Sequence, residues 1–272
     1  VEKMKKISIM NQKGGVGKSM VASQFAFYCA LKLNLRVLFV DLDQQGNSTK
    51  VLRSSGLAKQ SAKTAGQLIY NGGTIPEKDE FLIVGADPLL AHLESEGKAS
   101  YNKFIKNFYL TLNEIKENYD VCIFDTSPTP DVRAVCALAL SDYAISPIEL
   151  NQEALDGVQA LYKDIEKVQA INPELNFLGL LPNRVVSNPF QKENLRDLVL
   201  AYGKILLKGS DGKAVCIPSR SAISEAQAQG RPVWTGDKST AEKVWREIRR
   251  VFEALAQAMR LESRAVEIIK EE

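Results

Sequence analysis

The run Asn11-Gln-Lys-Gly-Gly-Val-Gly-Lys-Ser19 follows an apolar stretch, Ile7-Ser8-Ile9-Met10, and holds the residue types needed to grip a phosphate chain. Gly14, Gly15 and Gly17 let the backbone curl with its N–H groups facing inward. Lys18 can reach β- and γ-phosphates, and the Ser19 hydroxyl suits Mg²⁺. A helix starting there turns its N-terminal end towards the same anion. Two acidic segments fit this chemistry. The apolar run Val37-Leu-Phe-Val40 ends in Asp41 and Asp43 and passes into a polar turn, Gln-Gln-Gly-Asn-Ser-Thr49. Two carboxylates so close repel unless something cationic lies nearby, and Mg²⁺ with two lysines supplies that. Val121-Cys-Ile-Phe124 then ends in Asp125, a Walker-B pattern whose carboxylate would hold a Mg²⁺-bound water near Ser19.

The usual phosphate loop has a glycine five residues before its Gly-Lys pair; here that position is Gln12, and a second lysine, Lys13, follows it. This variant resembles the signature-lysine P-loop of the ParA/MinD family of ATPases. The resemblance implies that Lys13, Gly14, Gly15, Val16, Gly17, Lys18, Ser19 and Met20 bind ATP. It further implies that Lys13 reaches across a nucleotide-sandwich homodimer to the phosphates of the other copy. By the same resemblance Asp43 positions the attacking water and Asp41 belongs to the hydration shell of a Mg²⁺ held with Ser19 and Asp125. Lys13, Lys18 and Asp43 would then carry catalysis.

Two later segments extend the likeness. Gly179-Leu-Leu-Pro-Asn183-Arg184 ends a strand where the family places its adenine-contacting loop, and an Asn amide offers both a donor and an acceptor edge. Ile217-Pro218-Ser-Arg220-Ser-Ala222-Ile-Ser-Glu225-Ala226, with Gly230-Arg231-Pro232 after it, is similar to the family's I-P-R-x-x-R-L-x-E-A segment and its G-K-P-V tail. Pro218 would pack on the base. The match runs from Lys5 to about Trp234 and on into a C-terminal helix. Some positions depart from the pattern. Asp125-Thr-Ser-Pro128 keeps one proline where the family shows Asp-x-Pro-Pro, which loosens the switch loop. Met20 replaces a hydroxyl residue that contacts the α-phosphate, leaving only its backbone N–H. Ser219 and Ala222 replace two arginines, so Arg220 is the basic side chain left there.

These residues need a scaffold, and the chain alternates short β-rich runs with helical stretches. Strands are expected at Lys6–Met10, Arg36–Asp41, Phe81–Gly85, Val121–Asp125, Tyr143–Pro147, Phe177–Pro182 and Ala214–Pro218. Helices are expected at Ser19–Leu33, Tyr101–Asn118, Ala154–Ile171, Pro189–Tyr202 and about 239–262. Nearly continuous apolar strands signal a sheet covered on both faces. Strand–helix alternation with carboxylates at strand ends gives a doubly wound α/β fold with a mainly parallel sheet, its ligands beyond the strands' carboxyl ends. The glycine-containing region Ser54–Thr74 reads as a mobile surface insertion. No linker or repeat divides the chain, so residues 1–272 are expected to form a single domain with a C-terminal helix. Only about ten residues precede the P-loop, too few for the roughly 20 of a helix-turn-helix, and no operator-reading domain is expected.

With 272 residues, 45% hydrophobic, 25% charged and a net charge of +2, the composition is that of a globular protein with a sizeable core. Such a mild charge does not itself signal nucleic acid. The four cysteines show no C-x-x-C spacing and read as core thiols in a reducing cytosol. No apolar run approaches the ~20 residues of a membrane span. DNA binding rests on the resemblance: ATP-dimerised members bind DNA without sequence preference, and Arg184, Lys192, Arg196, Arg220, Arg246 and Arg250 are candidates for phosphate contacts. A MinD-like membrane role needs a basic amphipathic C-terminus, whereas Leu261–Glu272 is short and acidic. The expected function is that of a cytoplasmic, nucleoid-associated ATPase. It would segregate a plasmid or chromosome with a ParB-like centromere-binding partner that stimulates slow hydrolysis. Positioning of a protein cargo, a MinD-like membrane switch and a metabolic P-loop enzyme are the alternatives.

Overall fold

The computed structural model describes residues 3–264. Most of the acidic tail, residues 265–272, lies outside the described residues. The strands are β1 (Lys5–Ile9), β2 (Val37–Asp41), β3 (Lys59–Gln60), β4 (Phe81–Val84), β5 (Val121–Asp125), β6 (Tyr143–Glu149) and β7 (Asn176–Asn183). They form one sheet in the order β3-β4-β2-β5-β1-β6-β7, and every pairing is parallel. Helices α1 (Lys18–Leu31), α2 (Asn47–Ser54), α3 (Ala65–Asn71), α4 (Leu89–His92) and α5 (Tyr101–Glu114) occupy the first half. The second half holds α6 (Val132–Leu140), α7 (Gln152–Gln169), α8 (Pro189–Tyr202), α9 (Ser221–Ala228) and α10 (Lys238–Met259).

The period of two along each strand sorts the core into layers. Ile7, Ile9, Val37, Phe39, Val121 and Ile123 face α1, α9 and α10 on one side. Their neighbours Leu38, Val40, Cys122 and Phe124 face α3, α5 and α6 on the other. A third cluster packs α7 and α8 over β6 and β7 through Ile148, Leu161, Leu180 and Leu198. α10 lies along α1, with Phe252 on Phe25 at 5.9 Å between ring centroids and Trp245 on Trp234 at 4.8 Å. Its start is capped by the Asp237 carboxylate accepting from Thr240 N–H, and Arg260 ends it in a left-handed conformation.

Two expectations are corrected. Ala214–Pro218 is not a strand: it forms only isolated bridges, Val185 with Pro218 and Lys208 with Ala214, and neither partner lies in a strand of the sheet. Pro218 has no N–H to continue a ladder. The segment 206–218 nevertheless straps the outer side of β7, with Leu207 N–H on Leu180 O and Ile217 N–H on Pro182 O. Ser54–Thr74 is built into the fold instead of forming a mobile surface insertion. It supplies β3 and α3, and Ala65, Leu68 and Ile69 are fully buried. The apolar triplet outweighs the glycines that suggested a loop.

Candidate active site

The site is built by register. Ile9, Asp41 and Asp125 are level across β1, β2 and β5, so the phosphate-loop sequence and both acidic turns emerge side by side at the carboxyl end of the sheet's central strands. The loop from β1 to α1 needs left-handed backbone at Gly15 (φ 80°) and Gly17 (φ 91°), which glycine adopts without strain. A Cβ on Gly17 would also collide with the Asn183 amide. Two side chains fasten this loop. Asn11 Nδ2 donates to Pro147 O (2.9 Å) while its Oδ1 accepts from Lys13 N–H (2.8 Å). Asn183 Nδ2, at the end of β7, donates to Val16 O at 2.7 Å.

Lys18 begins α1 and is only 6% exposed. Its Nζ donates to Lys13 O at 3.2 Å. Burial lowers its pKa, and the charges of Asp125 and Asp43 oppose that shift. Asp125 is fully buried; Oδ2 accepts from Ser48 Oγ at 2.6 Å, whereas Oδ1 has no partner. Burial and then the Asp41 charge push its pKa up to about 8, offset in part by the Ser48 and Ser19 hydroxyls. Asp41 is also enclosed, and burial lifts it to about 6 against the pull of hydrogen bonds from Thr49 and the Asp43 amide. Its Oδ2 accepts from Thr49 N (2.8 Å) and Oγ1 (2.7 Å), and Oδ1 accepts from Asp43 N–H (3.1 Å). Asp41 thus shapes the β2–α2 turn. Asp43 accepts from Gln45 N–H at 3.0 Å and reaches the wall of a cavity.

That cavity, about 530 Å³, is bounded by Gly14, Gly15, Gly17, Lys18, Ser19 and Met20, with Asp43, Pro128 and Arg184 around it. The Val16 side chain is buried, so only its backbone is offered. Asn183 and Pro218 are not among the lining residues. Asn183 is drawn beneath the loop with its Oδ1 buried and unpartnered, and Pro218 stands beside Val185. The basic candidates do not form one open patch. Arg184 pairs with Glu149, Arg220 with Glu247 and Arg250 with Asp211. Arg246 bonds Glu242 O, while Lys192 and Arg196 are exposed on α8.

Several contributors escape sequence reasoning. Ser48 and Thr49 look like ordinary turn residues until β2 and β5 align their carboxylates. Gln24, fully buried on α1, bonds Gln227 Oε1 (3.1 Å) and Arg231 O (3.0 Å) and accepts from Val233 N–H (3.0 Å). Gln227 in turn donates to Ser23 Oγ at 2.8 Å and lines the cavity. The only signal was a glutamine in the mainly apolar body of α1.

Comparisons with known proteins agree with this geometry. Residues 4–177 match the model of the AAA domain family. The Protein IncC of Escherichia coli is 31% identical over 255 residues, covering 90% of this chain and 67% of IncC. The Chromosome-partitioning ATPase Soj of Thermus thermophilus is 34% identical over 187 residues, 66% of this chain and 69% of Soj. The crystal structure of a putative plasmid partition protein from Borrelia burgdorferi B31 bound to AMPPNP superposes with a TM-score of 0.71 at 22% identity. That superposition covers 94% of this chain and 100% of the other. The level strand ends, the glycine loop with its two lysines and these relatives have one reading: the chain belongs to the ParA/MinD family of P-loop partition ATPases.

Proposed function

We propose that the chain is a single-domain ATPase that forms a sandwich dimer around ATP and Mg²⁺, binds DNA without sequence preference and segregates a plasmid or chromosome. The observation that carries the nucleotide part is the convergence of Lys18, Ser19 and Asp43 on one cavity, with the orphaned Asp125 Oδ1 buried at the end of the neighbouring strand β5. A buried carboxylate oxygen without a donor calls for a cation's hydration shell. No group of three or more His, Cys, Asp or Glu is poised for a metal among the described residues. Mg²⁺ keeps several waters and takes one or two protein ligands plus phosphate oxygens. Ser19 and Asp125 would hold it, with Asp41 behind them. When bound, Mg²⁺ neutralises charge on the β- and γ-phosphates.

The chain's own groups do the rest. Lys18 exchanges the Lys13 carbonyl for phosphate oxygens, Asp43 aligns the water, and Lys13 of a second copy stabilises the transferring phosphoryl. Asn183 supports the loop from beneath through Val16 O, and the adenine end would lie towards Pro218, outside the cavity lining. Hydrolysis is slow until a ParB-like partner stimulates it, and the cytoplasmic dimer rides on the nucleoid. No helix among the described residues is long and apolar enough to cross a membrane. Because three candidate arginines are ion-paired, DNA contact falls first to Lys192, Arg196 and Arg246. Gel shift on an arbitrary duplex tests this reading. Binding should need ATP and weaken steeply between about 50 and 200 mM salt. Equal binding with ATP, ADP or no nucleotide defeats it.

A further inference from the structure

Three cations line the cavity beside the P-loop: Lys18, Lys50 and Arg184. The chain itself engages two of them, Lys18 on the Lys13 carbonyl and Arg184 on Glu149. The Lys50 ammonium has no hydrogen bond or ion pair among the described residues. An unpaired lysine on a helix is ordinary where it meets only bulk water. Lys50 instead belongs to the α2 face Asn47, Lys50, Val51 and Ser54, spaced i, i+3, i+4 and i+7, and all four line the cavity.

That face is clamped at both ends. Ser48 bonds Asp125 and Thr49 bonds Asp41 at its start. At its end Gly230, with φ 61°, packs so closely that a Cβ there would collide with Ser54 Oγ and Val51 O. Ser48 marks the carboxylate end of the site. Lys50 lies farther along α2 and shares the cavity wall with Met20, Gln227 and Ala228. Met20 brings a thioether and no donor to that wall. In a P-loop the lysine reaches the β- and γ-phosphates and the hydroxyl holds Mg²⁺, while the backbone cradles the α- and β-phosphates. With Lys18 engaged at the outer phosphates, an unpaired ammonium on the same cavity wall as Met20 is available to the inner ones.

We propose that Lys50 is a nucleotide-binding residue of this chain, contacting the portion of the phosphate chain that ATP and ADP share. The inference rests on the nucleotide reading above. It assigns α2 a direct role in binding in addition to its support of Asp41 and Asp125. Calorimetry of the full chain with ADP and with AMPPNP, both with Mg²⁺, tests it. Lys50→Ala should weaken both nucleotides by a similar factor of about ten (~1.4 kcal/mol). Lys50→Arg should stay within about threefold of the parent, because a cation is retained. Lys50 is exposed, so the thermal melt of Lys50→Ala without nucleotide should match the parent and exclude misfolding. Unchanged ADP affinity overturns the proposal, and so does a loss confined to AMPPNP, which would move the contact to the γ-phosphate. Failure of the underlying reading looks different: Lys18→Ala would then bind nucleotide as the parent does.

Discussion

The fold treats the two oxygens of Asp125 differently. One is satisfied by Ser48 and the other is buried without a donor, an arrangement that favours the protonated acid until a cation arrives. Because its pKa in the folded chain is raised to about 8, the sign of the linkage is clear. Stability tied to the neutral form is complete below the ordinary carboxylate range and is lost as pH rises towards 8. In EDTA, Asp125→Asn should match the parent near pH 4 and exceed it at pH 8 by about 1–2 kcal/mol, or roughly 2–6 °C in Tm. Melting curves at both pH values, with no divergence between them, would count against that assignment. Asp43 reaches the cavity and is not tied down as Asp41 is. Asp43→Ala should still bind ATP and accumulate as a dimer, with phosphate release down about 100-fold or more. Light scattering beside a phosphate assay reads both, and normal turnover would pass the role to another acid.

At the scale of elements, the P-loop is held as much by β7 as by α1. Gly17→Ala meets two penalties, a left-handed backbone and the Asn183 amide. It should lower stability by about 2–4 kcal/mol and abolish nucleotide binding. Adding Asn183→Ala removes the collision but not the strain, so denaturant melts should recover part of the loss. Full recovery would show that backbone conformation there is unimportant. The strands of the site were legible because Val37–Val40 and Val121–Phe124 are continuous apolar runs bounded by aspartates. α2, α3 and α9 were not: they have seven or eight residues each, too short to show a helical period. α6 was missed because Val132–Leu140 is almost wholly apolar and has no polar stripe. Lys18, Asp43 and Asp125 stood out in the sequence through the motif order and the family resemblance. Asn11, Ser48 and Gln227 did not, since their importance comes from partners about 77 to 204 residues away.

For the whole molecule, the decisive question is whether two copies complete each other. Lys13→Ala should keep nucleotide binding by the monomer but lose ATP-dependent dimerisation and hydrolysis. Mixed with Asp43→Ala, it should regain part of the activity. In the mixed dimer the Lys13→Ala copy keeps its own Asp43 and receives an intact lysine across the interface, so one site of two is whole. Titrating one variant into the other at constant total protein should give a rate that peaks at an intermediate ratio. A monomeric Lys13→Ala chain turning over at the parent rate would leave the metabolic-enzyme alternative in front.

The two flanks of the sheet limit how copies of the chain can add to one another. On one side β3 has only two residues, and its exposed Lys59 and Gln60 give an incoming strand little ladder to extend. On the other, the segment 206–218 already uses backbone groups of β7 at Leu180 and Pro182. Among the described residues neither flank offers a long free ladder, so growth by strand addition is disfavoured, and copies that associate would meet through helices and loops.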